Sequence, residues 1–442
     1  MRVDSSASVG FVPLWAKRVT WLAAVVWIVG LGISTVYRAG PYQVGADKSG
    51  LQELSRLEKR LGFSLDQNGS KFWGSHVHRT DFSIYTAVGR AIIDGTDIYE
   101  AENIRGWHYN NAPVFGLLFV PFAVMPLFWA ALIWYVLSAT MVIAAIIFCV
   151  RMVQQDSVAM GEPFWLYVIP PVLLIWPLMS ALARGQMTPF MFALVMAGLY
   201  CQWRGREWLG GSVLAGAILM KIFPVLLLPY FVWRKRWRFV LATLLAVVLG
   251  ALVVPAAALG WNTNVKYLQE WGSILQRPMF EQERSEDSRF GELSSPDLVR
   301  NQSLQAVLKR ITKSSSARWF AAAIGLAMAA AMIAVALQVR EKNQLLISST
   351  VIVWAVLMSP VSWSHYFMLL MLPVAAATWM AILEQDVSTR RVAVITLVGF
   401  GVLALSSAGS RALQVYGPIC WGTMVLWGGL LLCARGSRSF LK

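Results

Sequence analysis

Residues 204–238, RGREWLGGSVLAGAILMKIFPVLLLPYFVWRKRWR, decide how this chain folds. The 26 residues of 208–233 are an apolar run with Lys221 at its centre, and both ends are basic: Arg204 and Arg206 before it, then Arg234, Lys235, Arg236 and Arg238 after it. A run of that length is long enough to cross a bilayer once. A single crossing, however, would bury Lys221 at mid-membrane, at a cost of about 3 kcal/mol unless it is paired. Basic clusters mark the cytoplasmic side of membrane proteins. If both ends lie there, the run must cross an even number of times, as two short helices meeting near Lys221 and Pro224 with Lys221 at an outward-facing tip.

Apolar segments continue in both directions. Lys17 and Arg18 precede VTWLAAVVWIVGLGISTVY (19–37), which reads as an uncleaved first helix with its N-terminus inside. Further runs occupy 112–152, broken at Pro121 and Pro126, then 163–182, 187–203, 239–259, 318–339, 344–358, 366–383, 392–408 and 415–433. Topology requires 112–152 to cross once in net terms, with a short re-entrant first half. The pattern predicts an all-α polytopic membrane protein of about 12 transmembrane helices, one integral-membrane domain over 1–442. No internal repeat is visible, which disfavours the transporter folds built from repeats.

Composition agrees. The chain has 442 residues, 57% of them hydrophobic and 14% charged, beyond the range of soluble domains. Its net charge of +15 lies in short turns between apolar runs, so it points to anionic membrane lipids rather than nucleic acid. The four cysteines, Cys149, Cys201, Cys420 and Cys433, sit in or at the ends of apolar runs and form no disulfide framework or CxxC metal motif. Of the 23 acidic residues, nine lie in 38–111 and seven in 261–317, while the basic clusters lie mainly elsewhere. These two long loops are therefore expected to share the outer face. In the first, Leu51, Leu54, Leu57 and Leu61 at three- and four-residue spacing predict an amphipathic helix on the membrane surface. A second helix is expected over 82–93.

Polar chemistry concentrates in 72–113, FWGSHVHRTDFSIYTAVGRAIIDGTDIYEAENIRGWHYNNAP. Asp81 at an apolar surface among His76, His78 and Arg79 has the setting of a general base. Equally, its side-chain oxygen suits an N-cap for the helix that follows. His76, His78 and Asp81 could hold a metal, although two histidines and one carboxylate are a weak signal. Trp73, Trp107 and Tyr109 offer aromatic rings in the same stretch. Lys221, a lone cation in an apolar run, suits an anionic ligand or snorkels to the interface.

Taken in order, DFSIYTAVGRAIIDGTDIYE (81–100), YNNAPVFGLLFVPFAVMP (109–126), ARGQMTPFMFALVMAGLY (183–200), LAGAILMKIFPVLLLPYFVWRKRWR (214–238), NQSLQAVLKR (301–310) and SPVSWSHYFMLLMLP (359–373) resemble the GT-C mannosyltransferase-like family that uses polyprenyl-phosphate-linked sugar donors. The resemblance implies a GT-C glycosyltransferase fold and an outer-face first loop carrying interfacial helices and a catalytic Asp. It also implies a multi-pass enzyme of the cell (plasma) membrane with its active site on the outer face. The expected reaction is inverting transfer, with mannose as the expected sugar, from a polyprenyl-phosphate-sugar donor to a lipid or glycan acceptor. Neither cofactor nor metal is expected. Asp81 would be the general base; Lys221, His365 and Arg184 would bind the donor phosphate; Tyr85, Tyr109, Gln186 and Asn301 would contact sugar or acceptor. Three departures touch the sugar and acceptor pockets. A Tyr-Pro-Pro element reads Asn111-Ala112-Pro113, a Gly-Gln-x-Asn turn reads Gly185-Gln186-Met187-Thr188, and a His-His pair reads His365-Tyr366. The alternative is a transporter of anionic lipid or solute, which predicts paired ionisable groups on facing helices. This chain instead keeps almost all its acidic residues out of its apolar runs.

Overall fold

The computed structural model of the protein describes residues 12–39, 81–103, 108–154, 164–280, 298–339, 343–409 and 411–436. The surface helix expected at 51–61, together with Trp73, His76, His78 and Trp107, lies outside them. Among the described residues every regular element is a helix, as the apolar runs require. Among the described residues seven helices are long and apolar enough to cross a bilayer: Leu14–Thr35, Phe128–Gln154, Trp237–Leu259, Ala317–Val339, Ser364–Leu383, Val387–Ala408 and Pro418–Gly436. Phe164–Leu173 and Ile175–Ala183 make an eighth if they are one span broken by a 70° bend. The shorter apolar helices Pro113–Ala123, Glu207–Met220, Phe223–Trp233 and Gln344–Met358 stop below the roughly 20 residues that an upright crossing needs. The chain is a polytopic membrane protein.

Most breaks have a local cause. Pro121 and Pro126 end one helix and start the next, so the run over 112–152 divides into Pro113–Ala123 and Leu127–Gln154 as expected. The run 163–182, read as a single straight span, is bent instead. Pro170 and Pro171 remove two backbone donors just before the bend at Leu174. A π-turn at Leu249–Val253 widens the helix from Trp237 to Leu259. Asn264 fills in there, its Nδ2 donating to the carbonyls of Ala251 (3.0 Å) and Leu252 (3.2 Å).

The run from 208 to 233 breaks where its lysine predicts. Helix Glu207–Met220 ends at Lys221, whose backbone is extended (φ −149°, ψ 121°), and the chain resumes as a 3₁₀ turn, Phe223–Leu227, and a short helix, Leu228–Trp233. Its two flanking turns are built alike. Gly205 (φ 77°) and Lys235 (φ 56°) both take left-handed backbone between paired basic residues. Arg236 Nη1 reaches Glu207 Oε1 across them at 3.2 Å. An ion pair that joins the two turns puts both on one side, so the segment leaves and returns to the same face.

Close backbone approach holds the first arm in place. A Cβ at Gly210 would come within 2.7 Å of the Gly198 carbonyl, and one at Gly211 would run into the carbonyl of Phe239. Without glycine there, helix 207–220 could not lie against both neighbours, which is how small residues drive helix packing in membranes. At the other side of the molecule the two long loops meet. Lys266 Nζ donates to Asp97 Oδ2 at 2.7 Å, and Tyr267 Oη donates to the Thr96 carbonyl at 3.3 Å. They share a face, as the distribution of acidic residues predicts.

Two outcomes are expected. Gly211→Val overpacks the contact with Phe239 and destabilises the protein by about 1–3 kcal/mol, seen as a lower unfolding midpoint in detergent; Gly428→Ala, at a site with open space around it, leaves the midpoint unchanged. Single cysteines placed at Arg204 and Arg234 should both react with a membrane-impermeant thiol reagent from one side, and a cysteine at Lys266 from the other. Labelling of the first two from opposite sides would rule out the hairpin.

Candidate active site

Asp81 immediately precedes helix Phe82–Asp94, yet its side chain makes no capping hydrogen bond. The carboxylate turns to a residue far along the chain: Gln186 Nε2 donates to Asp81 Oδ2. The Asp81 N–H donates to the Arg184 carbonyl at 2.6 Å. These two bonds fasten the end of the first loop to the turn 184–187, and they hold the carboxylate at 7% exposure.

The turn itself is braced from behind. Trp134 Nε1 donates to the Gly185 carbonyl at 2.9 Å. Gly185 has φ 61°, and a Cβ on it would sit 2.7 Å from Phe82 Cβ, so only glycine fits. Phe82 stacks on Trp134 with centroids 5.5 Å apart, Trp134 stacks on Phe190 at 4.6 Å, and Tyr85 stacks on Phe119 at 4.8 Å. Offset aromatic packing of this kind is stiff as well as apolar, and it fixes where Arg184 and Gln186 stand.

Tyr85 packs in this layer, while Tyr109, the other tyrosine expected at the sugar or acceptor, packs against Tyr99 with centroids 5.8 Å apart. Both are buried, and Tyr109 Oη donates to the Ala112 carbonyl at 2.9 Å. Burial, and next the negative charge of Asp81, push the Tyr85 phenol well above its ordinary range. Burial does the same for Tyr109. Asn301 is 1% exposed and its carboxamide is engaged with backbone: Oδ1 accepts from the N–H groups of Ser303 (3.1 Å) and Ser362 (3.0 Å), and Nδ2 donates to the Pro360 carbonyl at 3.3 Å. It holds the 359–363 segment that leads into His365.

Lys221 borders a cavity of about 280 Å³, shared with Asn110 and Asn111 from the first loop, Trp271 from helix Trp261–Phe280, and Trp363 and Tyr366. Lys221 Nζ donates to Tyr366 Oη at 3.0 Å and lies 4.7 Å from the centre of that ring. Asp81 and Gln186 are not on the wall of this cavity. His365 is 2% exposed, and neither of its ring nitrogens has a hydrogen-bond partner among the described residues.

The structure thus brings Asp81, Gln186 and the Arg184 backbone together in one group, and Lys221 and Tyr366 in a second, with the His365 ring against Tyr366 at 5.0 Å. The sequence reading met Tyr366 only as a departure in the His-His pair, and it did not pick out Asn110 or Trp271. Tyr366 had a signal, because it follows His365 directly. Trp271 had only the period of an amphipathic helix.

Residues 107–360 match the model of glycosyltransferase family 87. A polyprenol-phosphate-mannose-dependent alpha-(1-2)-phosphatidylinositol mannoside mannosyltransferase of Mycolicibacterium smegmatis is 28% identical over 335 residues, 70% of this chain and 72% of that protein. The protein of the same description from Mycobacterium tuberculosis is 26% identical over 341 residues, 71% of this chain and 75% of its own length. No solved structure matches. The family match takes in the Arg184–Gln186 turn, the Lys221 break, the 359–360 end of the segment that Asn301 holds, and more than half of the sequence: the chain belongs to glycosyltransferase family 87, and it is a glycosyltransferase.

Proposed function

We propose that this glycosyltransferase moves mannose from a polyprenyl-phosphate-mannose donor to a lipid or glycan acceptor at the outer face of the cell membrane, through a chain of about 12 crossings and without a metal or cofactor. The observation that carries the reading is a buried carboxylate, Asp81, positioned by Gln186 and the Arg184 carbonyl, in a chain whose break at Lys221 sets a cation on the wall of a cavity of about 280 Å³. Names of the two mycobacterial relatives, which specify polyprenol-phosphate-mannose and an alpha-(1-2) product, support the donor and the linkage.

In this reading the acceptor hydroxyl oxygen attacks the anomeric carbon and the bond from that carbon to the phosphate oxygen breaks. Asp81 takes the hydroxyl proton, and polyprenyl phosphate leaves with the electron pair. Attack opposite the leaving group inverts the anomeric centre, so a β-linked donor gives an α-linked product. The role of the carboxylate is that of the base in inverting glycoside hydrolysis, with a sugar hydroxyl in place of water. Charge accumulates on the departing phosphate, which fixed cations stabilise strongly where water is excluded. Lys221 and Arg184 supply them. Because Gln186 donates to Asp81 from a turn that Trp134 and Gly185 hold rigid, the base is fixed in place before substrate arrives.

The test is transfer of radiolabelled mannose from polyprenyl-phosphate-mannose to membrane lipid, at matched protein levels. Asp81→Asn should lower turnover about 100-fold or more, Lys221→Ala about 100-fold, and a chelator should change nothing. Full activity of Asp81→Asn would overturn the base assignment. Wild-type protein that transfers no sugar from any polyprenyl-phosphate donor would overturn the reaction and favour a transporter.

A further inference from the structure

Tyr366 stands on the cavity wall with its ring stacked on Phe223, centroids 5.0 Å apart and planes 12° from parallel. Its phenolic oxygen accepts a hydrogen bond from Lys221 Nζ at 3.0 Å. A phenol that accepts still has its own proton to give, and among the described residues no group accepts from Tyr366. That proton is polarised by the neighbouring ammonium, since hydrogen bonds in a chain strengthen one another. The cavity beside it is lined mainly by apolar side chains, among them Ile222, Val225, Leu226 and Ile274, with Lys221 its one cationic wall residue among the described residues. A hydroxyl with an unused proton next to a cation, in an otherwise apolar pocket, suits an anionic oxygen better than a sugar hydroxyl, because the charge-assisted bond is roughly twice as strong as a neutral one.

We propose that Tyr366 is a phosphate-binding residue: Lys221 and Tyr366 together grip the phosphate of the lipid-linked donor, the ammonium by its charge and the phenol by donating its proton to a non-bridging oxygen. This rests on the donor assigned above and adds a second donor to its phosphate site. Phe223 sets the tilt of the ring and thereby the direction in which the hydroxyl points. Lys221 holds Tyr366 as much as Tyr366 holds Lys221, because the ammonium lies 4.7 Å from the ring centre as well as on the oxygen.

The experiment is direct binding of sugar-free polyprenyl phosphate to the purified protein in nanodiscs, with wild type and Tyr366→Phe compared at matched thermal stability. The phenylalanine keeps the stack on Phe223 and the ring near Lys221, and it removes only the hydroxyl. Wild type should bind, and Tyr366→Phe should weaken binding about 10-fold or more, the loss expected for a hydrogen bond to a charged partner. It should raise the KM for the lipid-linked sugar by a similar factor while leaving the KM for the acceptor unchanged. Equal binding by the two proteins would overturn the role of Tyr366 and leave the donor assignment standing. Failure of the wild type to bind polyprenyl phosphate at all would overturn both. Equal donor KM with a raised acceptor KM would place Tyr366 at the acceptor instead, against the proposal.

Discussion

Backbone that leaves helical geometry among membrane helices has to find new hydrogen-bond partners, because no water is there to supply them. Three interruptions do so in this chain, at 184–187, at Lys221 and at 359–364, and they surround one place. The first is closed by Trp134 and by the backbone of Asp81. The second keeps the Lys221 N–H on the Ala217 carbonyl, so only the groups beyond it are released. The third is held by Asn301, whose carboxamide serves two N–H groups and a carbonyl in a single side chain. Arg184, Gln186 and Lys221 lie in these interruptions, Asp81 and Asn301 help hold one shut, and His365 and Tyr366 follow the third directly. Polar side chains gather where the helices stop because they and irregular backbone satisfy the same need.

Much of the fold is legible in the residues, and the reasons are local. Lys221 in an apolar run forces a break because burying its charge costs more than turning the chain, and Pro121 with Pro126 divides the next segment by removing donors. Basic residues at both ends of 208–233 place those ends on one side, which the Glu207–Arg236 pair bears out. The 70° bend is harder to see. Pro170 and Pro171 are visible, but a proline pair can kink a span mildly or fold it over, and the neighbours decide which.

The site is legible in its chemistry and less so in its supports. Asp81 suits a cap by position, yet its partner is Gln186, 105 residues away. Nothing in the sequence around either residue announces that bond. Tyr109 reads as a sugar-stacking ring and Tyr85 as a sugar or acceptor contact, and nothing local announces that the Tyr85 ring stacks on Phe119 or that the Tyr109 hydroxyl donates to the Ala112 carbonyl. Asn301 looks like a ligand for hydroxyls for the same reason, and its amide is engaged by the 359–363 backbone. In each case the deciding contact joins segments that are distant in sequence, and a pattern with a period of three or four residues carries no record of it.

The hairpin closed by Glu207 and Arg236 also bears on how the protein is made. While it emerges from the ribosome, the stretch between its two basic turns presents enough apolar length to be taken for one crossing, and a single crossing would leave Arg234, Lys235 and Arg236 on the wrong side. Everything after residue 238 would then enter the membrane upside down, and Tyr366 and His365 would end up across the bilayer from Asp81. The orientation of the later helices is therefore decided by a handful of positive charges that must be retained on their own side until both short arms are complete. Those positive charges guide the insertion of the later helices without lining the cavity.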